Sequence, residues 1–434
     1  MTGRSVLPEK GAPMDVSDRA RKVVACRVCG GGDWQDVVSF GPVPLANGFL
    51  DPAGSYDDEP YYPLGVISCR SCRLMSVTRI VDPEVLYRTY PYVTSDSETI
   101  TRHMRYVAET CVRRFAIGED DLVVEIGSNT GTQLLAFREA GTRTLGVDPA
   151  RNLAAVANGN GVPTLPEFFS AGVAETIREE HGPARLVLGR HVFAHIDDLA
   201  GVVDGVRGLL APDGVFAIEV PYALELLERV AFDTIYHEHL SYFLVRTLGT
   251  LFERHGLRLF DVERLSVHGG SILAFVGHPQ GPWQVRPAVA ELSSLEERTG
   301  LFEDSAYRVF AKNVGHIREE LPALIQRLVA DGKRIAGYGA SAKGNTILNV
   351  CGLGPEHLDY CSDTTDLKQD KVLPGTHVPV RTPEYARVHP PDYFLLLAWN
   401  YADEIIRKEA SFLRAGGRFI LPIPKPSIVS DGSA

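Results

Sequence analysis

The sequence lacks the long apolar runs and the leader that a membrane or exported protein would carry. None of its apolar stretches approaches the roughly 20 residues that span a bilayer, and residues 1–10 have no apolar core of the kind found in signal peptides. Positive charge is not in excess either, since the net charge is -11 and the pI is about 5.7. We therefore expect a cytoplasmic enzyme for a small molecule, a monomer or a dimer, with no nucleic-acid or membrane partner.

Several catalytic fingerprints are also missing. The chain has no Gly-x-Gly-x-x-Gly dinucleotide motif, no phosphate-binding P-loop and no Gly-x-Ser-x-Gly nucleophile elbow. The histidines of His237-Glu238-His239 are too close together for the His-Glu-x-x-His motif of zinc proteases. These absences argue against the enzyme classes that depend on those motifs.

Cysteine is scarce but paired. Of the seven cysteines, four form two Cys-x-x-Cys units, Cys26/Cys29 and Cys69/Cys72. In a reducing compartment such pairs are expected to be thiols or metal ligands, and four thiolates build a closed tetrahedral zinc site. We predict structural Zn²⁺ here, with a redox pair or free thiols as the alternatives. The remaining three should pack in apolar cores: Cys111, Cys351 and Cys361.

The length of 434 residues is too great for one ordinary core. Apolar strands alternate with helical segments twice along the chain, which predicts an α/β protein with two Rossmann-like domains behind a small cysteine module. Gly277–Pro282 is the best linker candidate. The expected division is a flexible tail at 1–22, a zinc-binding module at 23–85, a catalytic domain at 86–280 and a C-terminal domain at 281–434.

The first glycine turn follows the predicted strand Leu122–Ile126 and opens a helix. It contains Glu125, Gly127, Ser128, Asn129 and Gly131. Asp148 ends the next strand, where a carboxylate can bind ribose hydroxyls. This pattern favours S-adenosylmethionine over a dinucleotide, because no pyrophosphate needs to be seated. The alternative is a generic strand-to-helix turn.

The second glycine turn, Gly337–Asn345, places Ser341 and Lys343 at the start of a helix. Backbone N–H groups at a helix N-terminus and a nearby ammonium group suit a diphosphate. A glycine turn that serves only packing is an equally simple interpretation.

Four proton-transferring side chains stand together in the segment Asp233–Phe243. They are Tyr236, His237, Glu238 and His239. Such a cluster beyond a strand end suits an enzyme that must ionise its acceptor before group transfer. A solvated loop rich in His and Tyr is the alternative.

These motifs, taken in order, resemble the three-domain S-adenosylmethionine-dependent C-methyltransferases of deoxysugar biosynthesis. The resemblance covers nearly the whole chain after the tail, so it is more specific than any single loop. It is carried by the cysteine pairs, Tyr90-Pro-Tyr92, Glu125–Gly131, Asp233–Phe243, His268–Ser271, Gly337–Asn345, Pro374–His377 and Ala398–Tyr401.

The resemblance implies roles for individual residues. His239 would be the general base, with Tyr236 and Glu238 beside it and Tyr90 in the pocket. His191 and His195 would face the cofactor or the sugar, although the family usually has Asn where His191 stands. The C-terminal domain would hold the nucleotide sugar, and the substrate-binding set would be Tyr92, His268, Tyr338, Ser341, Lys343 and Asn345.

The expected reaction is C-methylation of a nucleotide-linked, dTDP-type 4-keto-deoxysugar through an enolate, within natural-product biosynthesis. A ketone acidifies both neighbouring carbons, and the resemblance favours C3 over C5. Two other classes stay open at this point: an NAD-dependent dehydrogenase or epimerase of a nucleotide sugar, and a non-enzymatic zinc-bearing protein.

Overall fold

The computed structural model describes residues 19–88 and 98–430, apart from the side chain of His268. Tyr90, predicted in the pocket, and Tyr92, predicted to bind the substrate, lie outside the described residues. Most of the predicted tail and the side chain of His268 lie outside them as well. No helix in the described ranges is long and apolar enough to cross a membrane.

The N-terminal module is built on antiparallel strands. In chain order these are β1 (Ala20–Lys22), β2 (Trp34–Pro44), β3 (Tyr61–Cys69), β4 (Met75–Val77) and β5 (Arg79–Val81), followed by helix α1 (Pro83–Tyr87). Strands β2, β3 and β4 form one sheet, and β1 pairs with β5. Cys26 and Cys29 lie in the turn before β2, Cys69 ends β3 and Cys72 lies in the turn after it, so the pairing of β2 with β3 brings the two cysteine pairs together.

The central domain is a seven-stranded sheet covered by helices. Its elements are α2 (Glu98–Phe115), β6 (Leu122–Ile126), α3 (Thr132–Glu139), β7 (Arg143–Val147), α4 (Arg151–Gly159), β8 (Thr164–Leu165), α5 (Ala171–His181), β9 (Ala184–Arg190), α6 (Leu199–Leu209), β10 (Leu210–Pro221), α7 (Ala223–Glu228), β11 (Ser241–Tyr242), α8 (Val245–Arg254), β12 (Arg258–Leu265) and β13 (Ser271–Gly277).

The strand order of that sheet is β12-β13-β10-β9-β6-β7-β8, and β13 runs antiparallel to both of its neighbours. The chain switches direction of progress between β6 and β9. In such sheets ligands bind in the crevice beyond the carboxyl ends of the strands at the switch point. The predicted S-adenosylmethionine loop follows β6, directly at this crevice.

One strand does not stay with the central sheet. β11 pairs antiparallel with β4 of the N-terminal module, with Ser241 opposite Ser76. Because β11 follows His239 by two residues, the predicted base lies where the module joins the central domain.

The C-terminal domain is a second doubly wound unit. Its elements are α9 (Pro287–Arg298), α10 (Asp304–Ala330), β14 (Ile335–Tyr338), α11 (Ala342–Cys351), β15 (Cys361–Ser362), β16 (Val380–Arg381), α12 (Pro383–Val388), β17 (Tyr393–Leu396), α13 (Ala402–Lys408), α14 (Ala410–Arg414), β18 (Arg418–Leu421) and β19 (Ser427–Val429). Its sheet has the order β16-β15-β14-β17-β18-β19. All its pairs are parallel except β18 with β19.

A continuous apolar core joins all three parts, from Val66 of the module through Phe243 to Leu395 of the last sheet. Helix α10 packs against β2, α7 and α11, while α9 packs against β12 and α8. The predicted α/β class, with two Rossmann-like units behind a cysteine module, is confirmed.

Candidate active site

A cavity of about 650 Å³ lies beyond the carboxyl ends of β6, β7 and β9. All three parts of the chain line it: Asn47 and Tyr87 from the N-terminal part, His239 from the central domain, and Lys343 and Lys368 from the C-terminal domain. A site assembled in this way can hold two ligands against one another, because each part supplies its own wall.

Asp148 is fixed at the cavity edge by two backbone hydrogen bonds. Its Oδ2 accepts from the N–H of Asn129 at 2.7 Å, and its Oδ1 accepts from the N–H of Ala150 at 2.9 Å. Burial raises the pKa of Asp148, and the two hydrogen bonds oppose that rise. The oriented carboxylate fits the predicted role of binding ribose hydroxyls.

The glycines of the first turn serve packing. Gly127 has φ +69°, and a Cβ there would come within 2.7 Å of Val192 Cγ2. At Gly131, with φ +78°, a Cβ would approach Val162 to 2.9 Å. Gly127 lines the cavity and Gly131 does not, so Gly131 is needed for the start of α3 rather than for contact with a ligand.

Two polar groups of the same turn have unmet hydrogen-bonding capacity. Within the described residues, Glu125 Oε2 and Ser128 Oγ are buried without a hydrogen-bond partner. Burial raises the pKa of Glu125 to about 8, although Arg190 opposes the shift. A buried carboxyl group in a cavity wall is costly unless it is paired, so the wall fits a ligand that carries hydrogen-bonding groups.

The predicted base cluster splits between two environments. The N–H of His239 donates to the Tyr236 carbonyl at 3.0 Å, which closes a turn over residues 236–239. Tyr236 and His239 consequently lie side by side in the cavity wall, whereas His237 and Glu238 occupy the tip of the turn and do not line this cavity.

His239 is held in one tautomer by its neighbours. Its Nδ1 lies 2.8 Å from the carbonyl oxygen of Thr234, which can only accept, so Nδ1 carries the proton. Its Nε2 lies 2.7 Å from the hydroxyl of Tyr236 and accepts from it. Burial, reinforced by the neighbouring His195, lowers the pKa of His239 well below its usual range. The imidazole is therefore neutral near pH 7 and able to accept a proton.

His195 completes this part of the wall. Its ring meets that of His239 edge-on with centroids 4.9 Å apart, and its Nδ1 lies 3.1 Å from the hydroxyl of Tyr87. Burial lowers the pKa of His195 to about 3. It is thus a second neutral imidazole beside the predicted base.

His237 and Glu238 contact the N-terminal module instead. His237 Nε2 donates to the carbonyl oxygen of Tyr62 at 3.2 Å, and burial lowers the pKa of His237 to about 4. Glu238 Oε1 accepts from Asn47 Nδ2 at 2.7 Å and faces a neighbouring cavity of about 370 Å³. Of the two candidate imidazoles, only His239 reaches the main cavity.

A buried charge network anchors His191 on the floor of the cavity. Its Nε2 lies 3.2 Å from Glu219 Oε1, and Glu219 also binds Arg190 Nε and His103 Nε2, each at 2.9 Å. Burial alone would raise the pKa of Glu219, but Arg190, His191 and His103 hold it well below its usual range. The sequence did not single out Glu219, although a lone carboxylate inside the apolar run 214–220 of β10 was a signal.

The C-terminal domain contributes two lysines, Lys343 and Lys368, to the cavity wall, and we call this part the basic wall. Lys368 Nζ also lies 3.6 Å from Asp363 Oδ2. Lys343 lies at the start of α11, where Ser341 Oγ accepts from the N–H of Gly344 at 3.0 Å as the helix cap. Burial lowers the pKa of Lys343, and the charge of Asp233 opposes this. Lys368, which the sequence did not single out, adds a second ammonium group whose Nζ donates to the carbonyl of Ala340 at 3.0 Å.

Two residues predicted to bind the substrate, Tyr338 and Asn345, have hydrogen-bond partners within the C-terminal domain. The Tyr338 hydroxyl donates to Glu409 Oε1 at 2.9 Å and packs among aromatic rings. The side chain of Asn345 is buried and accepts from Asn349 Nδ2 at 3.2 Å. Neither lines the cavity, because their places in β14 and α11 direct them into the interior of the domain.

The four paired cysteines converge. All four Sγ atoms lie within 4.8 Å of one another, with Cys26 and Cys72 at 3.4 Å and Cys29 and Cys69 at 3.5 Å. Four thiolates at such separations fit a tetrahedral zinc site. Cys111, Cys351 and Cys361 are buried elsewhere, as expected.

Comparison with known proteins matches each part of the chain. A family model described as "Putative zinc binding domain" matches residues 26–87, "Methyltransferase domain" matches 100–262, and "C-methyltransferase C-terminal domain" matches 266–424. The chain is 52% identical over 415 residues to C-methyltransferase NovU of Streptomyces niveus, a match that covers 96% of this chain and 99% of that protein.

Two solved methyltransferase structures each match less than half of the chain. Magnesium protoporphyrin IX methyltransferase of Synechocystis PCC 6803 is 12% identical over 43% of this chain and 90% of its own, with a TM-score of 0.33. The 1,6-didemethyltoxoflavin-N1-methyltransferase of Burkholderia thailandensis is 20% identical over 42% of this chain and 80% of its own, with a TM-score of 0.31. Neither similarity is high enough to support a statement about this chain.

The chain combines a methyltransferase domain with a four-cysteine module before it and a second Rossmann-like unit after it. This arrangement is that of a three-domain, zinc-bearing methyltransferase. The chain belongs to the S-adenosylmethionine-dependent C-methyltransferase family. Its cofactors are S-adenosylmethionine and structural zinc, as the sequence predicted. The dehydrogenase and non-enzymatic alternatives are thereby set aside.

Proposed function

We propose that this enzyme methylates a carbon next to the ketone of a nucleotide-linked 4-keto-deoxysugar, with His239 as the general base. The observation that carries the proposal is the imidazole of His239 in the wall of the shared cavity, with its Nε2 bonded to the hydroxyl of Tyr236, which lines the same wall. A carbon next to a ketone is acidic enough for such a base, because the resulting enolate places its charge on oxygen.

Each proton and electron pair has a destination in this scheme. His239 Nε2 takes the proton, and the C–H electron pair becomes the enolate double bond. The Tyr236 hydroxyl turns from Nε2 to the ketone oxygen and donates to it, which stabilises the developing charge. S-adenosylmethionine, when bound, would supply an electrophilic methyl group: the enolate carbon would bond to it while the carbon–sulfur pair leaves on sulfur as S-adenosylhomocysteine. Asp148 and the turn after β6 hold that cofactor at the switch point.

The basic wall supports a diphosphate as the handle of the substrate. Lys343 and Lys368 face the cavity from the C-terminal domain, and Ser341 places the N-terminus of α11 next to them. Two ammonium groups and a helix N-terminus are suited to phosphate oxygens. We assign the sugar-nucleotide handle to the proposed domain 281–434, with the sugar directed toward His239.

Both C3 and C5 flank a C4 ketone, so the base alone does not select between them. The family resemblance favours C3 and a dTDP-linked sugar of natural-product biosynthesis. His191 distinguishes this chain from the family pattern. Its imidazole is hydrogen-bonded to Glu219 at a position where the family usually has Asn.

The test is a panel assay. Purified enzyme is incubated with S-adenosylmethionine and dTDP-linked 4-keto-6-deoxyhexoses, including 2-deoxy and 3-amino forms. Mass spectrometry should show the gain of one methylene, and NMR should place the methyl group at C3. A methyl group at C5 would overturn the regiochemistry, and no methylation across the panel would overturn the substrate class.

A further inference from the structure

Arg27 lies between two zinc ligands but extends toward the base segment. Its Nη2 donates to the backbone carbonyl of Leu240 and lies 2.8 Å from Ser241 Oγ and 3.1 Å from Ser76 Oγ. Leu240 directly follows His239. A side chain of the zinc module therefore reaches the backbone carbonyl of the residue that follows the proposed base.

The backbone of Leu240 also links the two segments that carry the imidazoles of the cavity. Its N–H donates to the carbonyl oxygen of Ala194 at 2.8 Å, and Ala194 precedes His195. Its carbonyl oxygen accepts from the N–H of Val77 at 3.2 Å in addition to Arg27. The backbone of Leu240 is thus bonded on one side to the segment that carries His195 and on the other to Arg27 and β4, and the rings of His195 and His239 meet edge-on beside it.

The guanidinium is held at a cost. Within the described residues its Nε and Nη1 are buried and have no hydrogen-bond partner. Burying a charged group whose hydrogen-bonding capacity is only partly met is unfavourable, so an apolar side chain would serve better if packing were the whole requirement.

We propose that Arg27 is a positioning residue for the methyl transfer, which fixes the backbone carbonyl of Leu240 and so holds the preceding His239 in register in the cavity. The four-cysteine zinc site then holds this guanidinium in place, because the ligands Cys26 and Cys29 fix the backbone on both sides of Arg27. This inference rests on the proposed role of His239 as the base.

The test separates positioning from folding. The panel sugar that the wild type methylates is incubated in deuterated solvent with S-adenosylhomocysteine, and exchange of its α-proton is followed by NMR. A misplacement of about 1 Å can cost ~10²-fold, so Arg27→Met should slow exchange by roughly 10- to 100-fold. Zinc content and the affinities for S-adenosylhomocysteine and dTDP should stay at wild-type values. Arg27→Lys keeps a cationic donor and should recover part of the rate.

Arg70→Met is the matched control. Arg70 follows Cys69 as Arg27 follows Cys26, but it binds the exposed carboxylate of Asp33 and the half-buried carboxylate of Asp304, away from the cavity. It should exchange like the wild type. Wild-type exchange in Arg27→Met would overturn the inference. Parallel losses of exchange, ligand affinity and zinc in both Arg27 variants would also overturn it, because they would show a folding role.

His239→Asn, measured alongside, distinguishes the two levels. If it is inactive while Arg27→Met exchanges normally, the inference fails and the proposed function stands. If His239→Asn exchanges normally, the proposed base is wrong and the positioning role falls with it.

Discussion

His237 and His239 are separated by one residue and have opposite surroundings. The turn over 236–239 places one imidazole in the cavity wall and packs the other against Tyr62. Both have lowered pKa values because both are buried. Burial by itself therefore does not identify the base, and access to the cavity does.

The lowered pKa of His239 predicts the pH dependence of the reaction. A base whose pKa lies well below about 6.5 keeps its neutral, proton-accepting form as the pH falls through that value. The kcat for methyl transfer should accordingly stay level between about pH 8 and pH 6. Mass spectrometric assays across that range check this, with S-adenosylhomocysteine affinity as the control. A loss of kcat centred near 6.5 would contradict it.

Asp148 should govern the cofactor and leave the sugar nucleotide unaffected. Hydrogen bonds to a charged group contribute ~1.5–3 kcal/mol each, so Asp148→Ala should weaken S-adenosylhomocysteine binding by roughly tenfold to a hundredfold. Calorimetry should give an unchanged affinity for dTDP. Asp120→Ala, which removes an exposed carboxylate before β6, should bind both ligands normally. Equal cofactor affinity in Asp148→Ala and the wild type would refute the assignment.

At the scale of elements, the four-cysteine zinc site and strand β11 stabilise one another. β11 pairs with β4, and Thr247 Oγ1 donates to the carbonyl of the ligand Cys72 at 2.8 Å. A metal that binds only the folded module contributes its binding free energy to folding. The module thus stabilises the segment that carries the base.

Zinc stoichiometry tests this dependence. We predict one zinc per chain in the wild type and a reduced content in Cys69→Ser, with a lowered melting temperature, because three thiolates bind the metal less tightly than four. Cys351→Ser alters a buried thiol far from the cluster and should keep its zinc. Elemental analysis and thermal melting report both quantities. A full complement of zinc in Cys69→Ser would count against the four-cysteine site.

Most elements of the fold could be predicted because their apolar patterns are local. The apolar run at residues 122–126 corresponds to β6, and the helix expected after the first glycine turn corresponds to α3. The short β11 was beyond prediction, since two residues carry no period and its partner β4 is distant in sequence.

The site was predictable where a motif is also a local structure. Asp148 at the end of β7 follows from the strand pattern, and so does Lys343 at the start of α11. Tyr338 and Asn345 belong to the same motif but face the interior, because a motif does not specify which side chains point inward. Glu219 and Lys368 depend on contacts between distant segments, which the sequence alone does not reveal.

At the scale of the whole molecule, the cavity exists only because three parts meet. The continuous core from the module to the last sheet fixes their relative positions. The cofactor crevice belongs to the central domain and the basic wall to the C-terminal domain. Damage to one wall should therefore affect one ligand and spare the other.

Lys343 tests this division. Lys343→Met removes an ammonium group from the proposed diphosphate site and should weaken dTDP binding by about tenfold or more, since charge-assisted hydrogen bonds are among the stronger ones. Affinity for S-adenosylhomocysteine should not change. Lys312→Met, on an exposed face of α10, is the control and should bind both ligands normally. A loss confined to the cofactor would reverse the assignment of the walls.

The most direct test of the central claim is α-proton exchange by the wild type, His239→Asn and His237→Asn. With S-adenosylhomocysteine bound and methyl transfer blocked, the wild type should exchange the proton next to the ketone with deuterated solvent. Loss of a placed base typically costs ~10²–10⁴-fold, and His239→Asn should lose exchange on that scale while both ligands still bind. His237→Asn should exchange at close to the wild-type rate. Rapid exchange in His239→Asn, or its loss only in His237→Asn, would contradict the account.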